Sequence, residues 1–259
     1  MRRFGATAIA ALALCTGRAE AQFDHRLVAQ SGPGCSETTQ DLDVDSLDVP
    51  CESGVIGVDP NSFSNRAVVD SATGDLNVTA QLSFEEPPGS FDPGSLDTIA
   101  TIQERLTRTG LGPIRATLQF SSGLDIFGTV VDYEVTLRLT NACTAFFSQT
   151  AGNGSLGDPS STANCPGGSA SADLNTLSVT LESPVTTIDL LAQIRAEWLF
   201  AYDLGGQYQI DGDLRVDALG GASFSAPSPN FLTQVPEPQA SLAGFTVFAA
   251  LGRIARKRS

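Results

Sequence analysis

The chain of 259 residues predicts an all-β protein, an antiparallel β-sandwich or jelly-roll-like fold. Three observations carry that prediction. Period-two alternation of apolar and polar residues returns in five separate segments, the mark of antiparallel sheets with one buried and one wet face. The composition is loop-rich, with 25 Gly and 14 Pro against only 17% charged residues, which suits sandwiches better than helical bundles. One segment alone has helical spacing, and no internal repeat suggests a propeller or solenoid. The length suffices for one β-rich domain of roughly 200 residues.

The N-terminus reads Met1-Arg2-Arg3, then an apolar run from Phe4 to Leu14, then Ala19-Glu20-Ala21 before Gln22. A charged start, a short apolar core and a small-x-small site predict a secretory signal peptide over residues 1–21, cut between Ala21 and Gln22 with Ala19 as the other small residue. Its eleven apolar or small residues are too few to span a bilayer.

Residues 22–54 form an acidic N-terminal segment that a disulfide is expected to close. Once Cys15 leaves with the leader, Cys35, Cys51, Cys143 and Cys165 remain. An even number in an exported chain reads as disulfides. Of the three connectivities, the local one, Cys35 with Cys51 and Cys143 with Cys165, needs the least loop ordering, and each bridge is worth about 3 kcal/mol. Neither pair has the tight spacing of a four-cysteine zinc site. The enclosed stretches, acidic Ser36–Pro50 and Gly/Ser/Asn-rich Thr150–Asn164, are expected to be irregular. His25 is expected in a disordered or edge region without the fixed partners a catalytic base needs.

Asp41, Asp43, Asp45 and Asp48 form the densest acidic cluster. With Asp41 as the first loop position, Asp43 falls third, Asp45 fifth and Glu52 twelfth, the ligand spacing of an EF-hand calcium loop. Ser46 stands where that loop turns on Gly, and no flanking helices are evident. An acidic strand or turn accounts for the cluster equally well, so calcium is a candidate cofactor only.

The main domain, residues 55–226, contains the alternating segments. Leu76, Val78, Ala80, Leu82 and Phe84 alternate with polar residues, as do Ile114, Ala116, Leu118 and Phe120. Val131, Tyr133, Val135, Leu137 and Leu139 follow, then Ile188 to Tyr202 with Trp198 and Phe200, then Tyr208, Ile210, Leu214 and Val216. Between the first two, Leu96, Ile99, Ile102 and Leu106 recur at helical spacing and predict one short helix over about 95–109, with Ser95 as N-cap, Gly110 as stop and Pro113 beyond. Asp211-Gly212-Asp213 is a second and weaker calcium candidate, and reads more readily as a bulge or hairpin turn.

Charge excludes one class of partner. Lys plus Arg is 15 against 29 Asp plus Glu, and residues 22–234 hold 8 Arg, no Lys and 27 acids, a net charge of −19. Binding to nucleic-acid phosphates is therefore not expected. A single His argues against His-based metal centres and Ser-His-Asp catalysis. There is no Gly-x-Ser-x-Gly elbow, phosphate loop or dinucleotide fingerprint. Asp132 with Glu134, or Glu197, could form the carboxylate pair of a retaining glycosidase, yet they occupy the ordinary polar register of amphipathic strands. A non-enzymatic protein is expected.

A linker over 227–234 precedes Val235-Pro236-Glu237-Pro238, an apolar run from Ala240 to Gly252, and a basic tail with Arg253, Arg256, Lys257 and Arg258. That order over residues 235–259 resembles the PEP-CTERM sorting signal of exosortase substrates in Gram-negative bacteria. The basic tail would stay cytoplasmic while the apolar run sits as a helix in the inner membrane. Thirteen residues reach only ~20 Å of the ~30 Å hydrocarbon core, which suits a temporary anchor. The resemblance implies processing by an exosortase-type enzyme, with Glu237 and its prolines recognised rather than catalytic. It implies a destination in the cell envelope or extracellular matrix, and partners among exopolysaccharide or biofilm components. The other reading of the body is a carbohydrate-, calcium- or ice-binding module acting through a flat polar sheet face. A secreted hydrolase comes last.

Overall fold

The structure is a computed structural model that describes residues 24–32, 34–53, 62–83, 95–127, 130–152, 155–199 and 205–232. The predicted signal peptide, its cleavage residues Ala19, Ala21 and Gln22, and the whole sorting signal from Val235 onward lie outside the described residues.

The strands in chain order begin with β1 (His25–Ser31), β2 (Ser36–Thr39), β3 (Ser46–Ser53), β4 (Ser62–Asp70) and β5 (Asp75–Ser83). They continue with β6 (Ser95–Thr109), β7 (Ile114–Phe127), β8 (Val130–Leu139), β9 (Cys143–Gly152), β10 (Ser155–Leu156) and β11 (Ser160–Asn164). Last come β12 (Gly168–Asp173), β13 (Thr176–Leu181), β14 (Thr187–Leu199), β15 (Gly205–Ala218) and β16 (Ser223–Ser225). Among the described residues there is no helix, and so none long and apolar enough to cross a membrane.

The strands form two antiparallel sheets packed face to face. The nine-stranded sheet runs β10-β9-β8-β14-β6-β1-β2, with β11 also on β9 and β16 on β6. The seven-stranded sheet runs β12-β13-β7-β15-β5-β4-β3. Alternation explains the core directly: Leu76, Val78, Leu118, Val135, Leu137, Ala192, Ile194, Ile210 and Leu214 all point inward and are buried. Trp198, Tyr133 and Tyr208 are buried with them, as their apolar register predicts. The sandwich is thus the predicted fold class. The N-terminal segment is woven into it, since β1 pairs with β6 in one sheet and β3 with β4 in the other. At the other end, Ser228 and Phe231 of the expected linker are buried against the body.

The predicted helix at 95–109 is instead β6, a central strand of the larger sheet. Its inward residues are Thr98, Ala100, Ile102, Glu104, Leu106 and Arg108, all buried. Three of the six are polar, which hid the period of two and left Leu96, Ile99, Ile102 and Leu106 to suggest a helix. Each has a partner that no local pattern reveals: Tyr208 Oη donates to Thr98 Oγ1 at 2.8 Å, Glu104 meets His25, and Arg108 donates to the Ser183 carbonyl at 2.7 Å. Six of the fifteen residues are Thr or Ile, the β-branched types that favour strand over helix.

Asp211-Gly212-Asp213 is neither bulge nor turn. It runs through β15 in unbroken register, Gly212 lying between Leu76 of β5 and Phe120 of β7. A Cβ at Gly212 would come within 2.7 Å of Ile194 Cδ1 in the opposite sheet, so the glycine serves the close approach of the two sheets. The enclosed stretches expected to be irregular also carry strands: β2 and part of β3 in one, β10 and β11 in the other.

Candidate functional site

Two places combine chemistry with geometry: the outer face of the seven-stranded sheet, and a buried polar node between β1, β6 and the segment around Ser228. On the outer face, β15 presents Gln207, Gln209, Asp211, Asp213 and Arg215 in alternation. Thr79 and Gln81 of β5 flank them on one side, with Ser121, Gly123 and Asp125 of β7 on the other. Gly123 stands opposite Gln209 in the ladder. Its missing side chain opens a trough of about 460 Å³ bordered by Gln81, Gln207, Gln209 and Asp125. A second trough of about 450 Å³ follows along the same strand, bordered by Asp75, Ser121, Asp211 and Asp213.

This face is ordered by its own hydrogen bonds. The Asn77 amide donates to Asp211, and Gln209 Nε2 donates to the same carboxylate at 2.8 Å. Arg215 Nη2 donates to Asp213 at 2.8 Å. Amide and hydroxyl groups that both donate and accept, interspersed with carboxylates, can bind a hydroxyl-rich or cationic ligand.

The second place is buried. His25, 1% exposed, lies on β1 opposite Glu104 of β6, which is 2% exposed. The His25 Nδ1–H donates to Glu104 Oε2 at 2.5 Å, and Nε2–H donates to the Val44 carbonyl at 3.3 Å. Acceptors at both nitrogens suit the imidazolium form. Burial alone would depress the His25 pKa. The hydrogen bond and charge of Glu104, the Val44 carbonyl and the charge of Asp45 outweigh it, so the pKa lies above the ordinary value of 6.5. Glu104 Oε1 also accepts the Ser228 N–H at 3.2 Å. Asp45 accepts from the Ser228 hydroxyl at 3.4 Å and from Asn230 Nδ2 at 2.6 Å. The expectation that His25 sits in a disordered or edge region without partners is therefore corrected. Its partner is 79 residues away in sequence, and only sheet pairing brings the two together.

Asp41, Asp45 and Asp48 of the acidic cluster have partners of their own. Asp41 Oδ1 accepts the Asp43 N–H at 3.1 Å within its own turn, Asp45 holds Ser228 and Asn230, and Glu52 lies on edge strand β3. Asp48 is paired with Arg66, whose hydrogen bond lowers the aspartate pKa. Among the described residues no three His, Cys, Asp or Glu side chains are grouped to hold a metal ion. The glycosidase candidates sit on the open outer face of the larger sheet. There Arg195 reaches Asp97 at 2.8 Å, Glu197 at 3.1 Å and Glu134 at 3.8 Å, and Asp132 stands opposite Glu197 in register.

Both disulfides form with the local pairing, and each closes one lateral edge of the sandwich. Cys35, between β1 and β2 of the larger sheet, joins Cys51 on β3 of the smaller. Cys143 on β9 joins Cys165, at the crossing from β11 to β12 between the sheets. Two such bonds fit an oxidising compartment, periplasmic or extracellular.

Glu104 and Gly123 were the residues that sequence reasoning passed over. Glu104 keeps the even parity of Ala100, Ile102 and Leu106, the one local hint of burial. Gly123 carries no such signal, because a glycine in an outward register resembles any weak strand position. No protein-family model, no curated protein and no solved structure matches the chain.

Proposed function

We propose that the protein is an exported, non-enzymatic β-sandwich of the cell envelope or extracellular matrix of a Gram-negative bacterium. An exosortase-type enzyme sorts it at its C-terminal signal, and it associates there with exopolysaccharide. The observation that carries this reading is the pair of disulfides, one at each lateral edge of the sandwich. Such staples persist where the surroundings are oxidising, which agrees with a leader over 1–21 and a sorting signal over 235–259. The engagement of both His25 nitrogens supports a structural rather than a catalytic histidine. The polar outer face of the seven-stranded sheet, with its two troughs, supports a carbohydrate-associated role.

Intact mass spectrometry on protein from the organism's own envelope fraction, with and without reductant, tests the proposal. The expected species begins at Gln22, ends within Pro236–Pro238, and gains two hydrogens per bridge on reduction. A species with an intact C-terminal tail and free thiols overturns it.

A further inference from the structure

The troughs over Gly123 and along Asp211 form one strip on the outer face of β15. From Gln207 to Asp213 it extends ~20 Å at ~3.4 Å per residue, room for several sugar rings in a row. We infer that this strip is the binding site for a cationic amino-sugar polymer, one whose amines are at least partly unacetylated. The inference deepens the polysaccharide reading above and rests on it.

Three features select that ligand class. The first is that no aromatic side chain among the described residues is exposed along the strip. Tyr208 and Phe120 touch the troughs from below but are only 2% and 5% exposed, and the outward residues around them are amides, hydroxyls and carboxylates. Hydrogen bonds and charge must then supply the affinity that aromatic faces supply elsewhere. The second is the sign of the charge. Asp211 accepts from the neutral amides of Asn77 and Gln209, and Asp75 accepts from the Thr73 hydroxyl at 2.7 Å. Neither charge is cancelled by these partners, and Arg215 engages only the far end, at Asp213. Residues 22–234 hold no Lys, and the arginines nearest the strip, Arg66 and Arg215, are engaged by Asp48 and Asp213, so a polyuronate or sulfated chain finds no unpaired cation there, while an ammonium meets carboxylates. The third is the space itself. A Cβ on Gly123 would meet nothing closer than the Gln209 carbonyl oxygen at 4.0 Å, so the trough floor is open to solvent and to a ring lying across it.

The test is isothermal titration of the full chain with a short glucosamine oligomer whose amines are protonated, its fully N-acetylated counterpart, and a polyuronate of equal length. The glucosamine oligomer is expected to bind at least about tenfold more tightly than the other two, and to lose affinity as salt rises towards ~0.5 M. Gly123→Leu, which fills the trough without adding a stacking face, should weaken binding at least about tenfold while leaving the melting temperature within a few degrees. Asp211→Asn, which removes charge without adding bulk, should weaken the cationic oligomer selectively and decides the matter if the leucine variant does not fold. Equal binding of the acetylated oligomer, still blocked by Gly123→Leu, overturns the cationic assignment and leaves the polysaccharide reading standing. Binding indifferent to both substitutions overturns the site. No binding of any of the three oligomers overturns the inference, whereas the envelope assignment stands or falls separately on the mass measurement.

Discussion

At the scale of single residues, the His25–Glu104 pair is buried on both sides, with side chains 0% exposed. Two ionisable side chains are removed from water, and their attraction must offset the desolvation of both. Breaking one partner leaves an uncompensated buried charge, so Glu104→Gln should cost about 3–5 kcal/mol of stability. Circular dichroism melting measures it, and a loss under about 1 kcal/mol would mean that the pair does little for the fold. The pH dependence has a definite sign. The His25 pKa is raised in the folded state, so its contribution is complete below the ordinary value near 6.5 and is lost as pH rises through the folded value. The melting temperature should therefore decline as pH rises above about 6.5. That slope should vanish in Glu104→Gln and in His25→Phe. If both variants retain it, the titrating group is another one.

At the scale of elements, β6 teaches the most. A strand in the middle of a sheet can hold polar residues in its buried register when strands distant in sequence supply the partners, as Tyr208 and His25 do for Thr98 and Glu104. The edges follow a different logic. β2, β11 and β12 are short and composed of small polar residues, and few large apolar side chains hold them to the core. The two disulfides are placed there. Each closes a loop of 16 or 22 residues and is worth about 3 kcal/mol through restriction of the unfolded chain. Replacing Cys143 and Cys165 with Ser should lower stability by about that amount in urea unfolding and raise amide exchange first in β11 and β12. Uniform exchange across both sheets would show that the bridge acts on the whole fold and not on its edge.

At the scale of the whole molecule, charge opposes packing. Residues 22–234 carry 8 Arg against 27 acids, and the larger sheet commits one of those arginines, Arg195, to three carboxylates at once. Exposed pairs such as Arg66 with Asp48 contribute little, so mutual repulsion of the excess carboxylates dominates the long-range energy. The melting temperature should rise by a few degrees as salt goes from ~0.01 M to ~0.5 M, because screening shortens the reach of that repulsion. A falling melting temperature in the same titration would assign the larger share to the arginine pairs. The same excess charge disfavours the approach of polyanions at low salt.

Much of this architecture was already legible in the alternation of residues. Strands such as β5, β7, β8, β14 and β15, the inward direction of Trp198, Tyr133 and Tyr208, the class of fold and the local disulfide pairing all follow from spacing and residue type, because a period of two is a local property of the chain. Edge strands β2, β10, β11 and β12 were not legible, since their small polar residues alternate with nothing. The identity of β6 and the burial of His25 depend on partners brought in by pairing across the sheets. The trough over Gly123 depends on which side chains surround a gap. Alternation along the chain sets most of the dry and wet faces, β6 excepted. Only the tertiary structure decided which polar groups are buried together and where the wet face opens, because those depend on contacts between strands far apart along the chain.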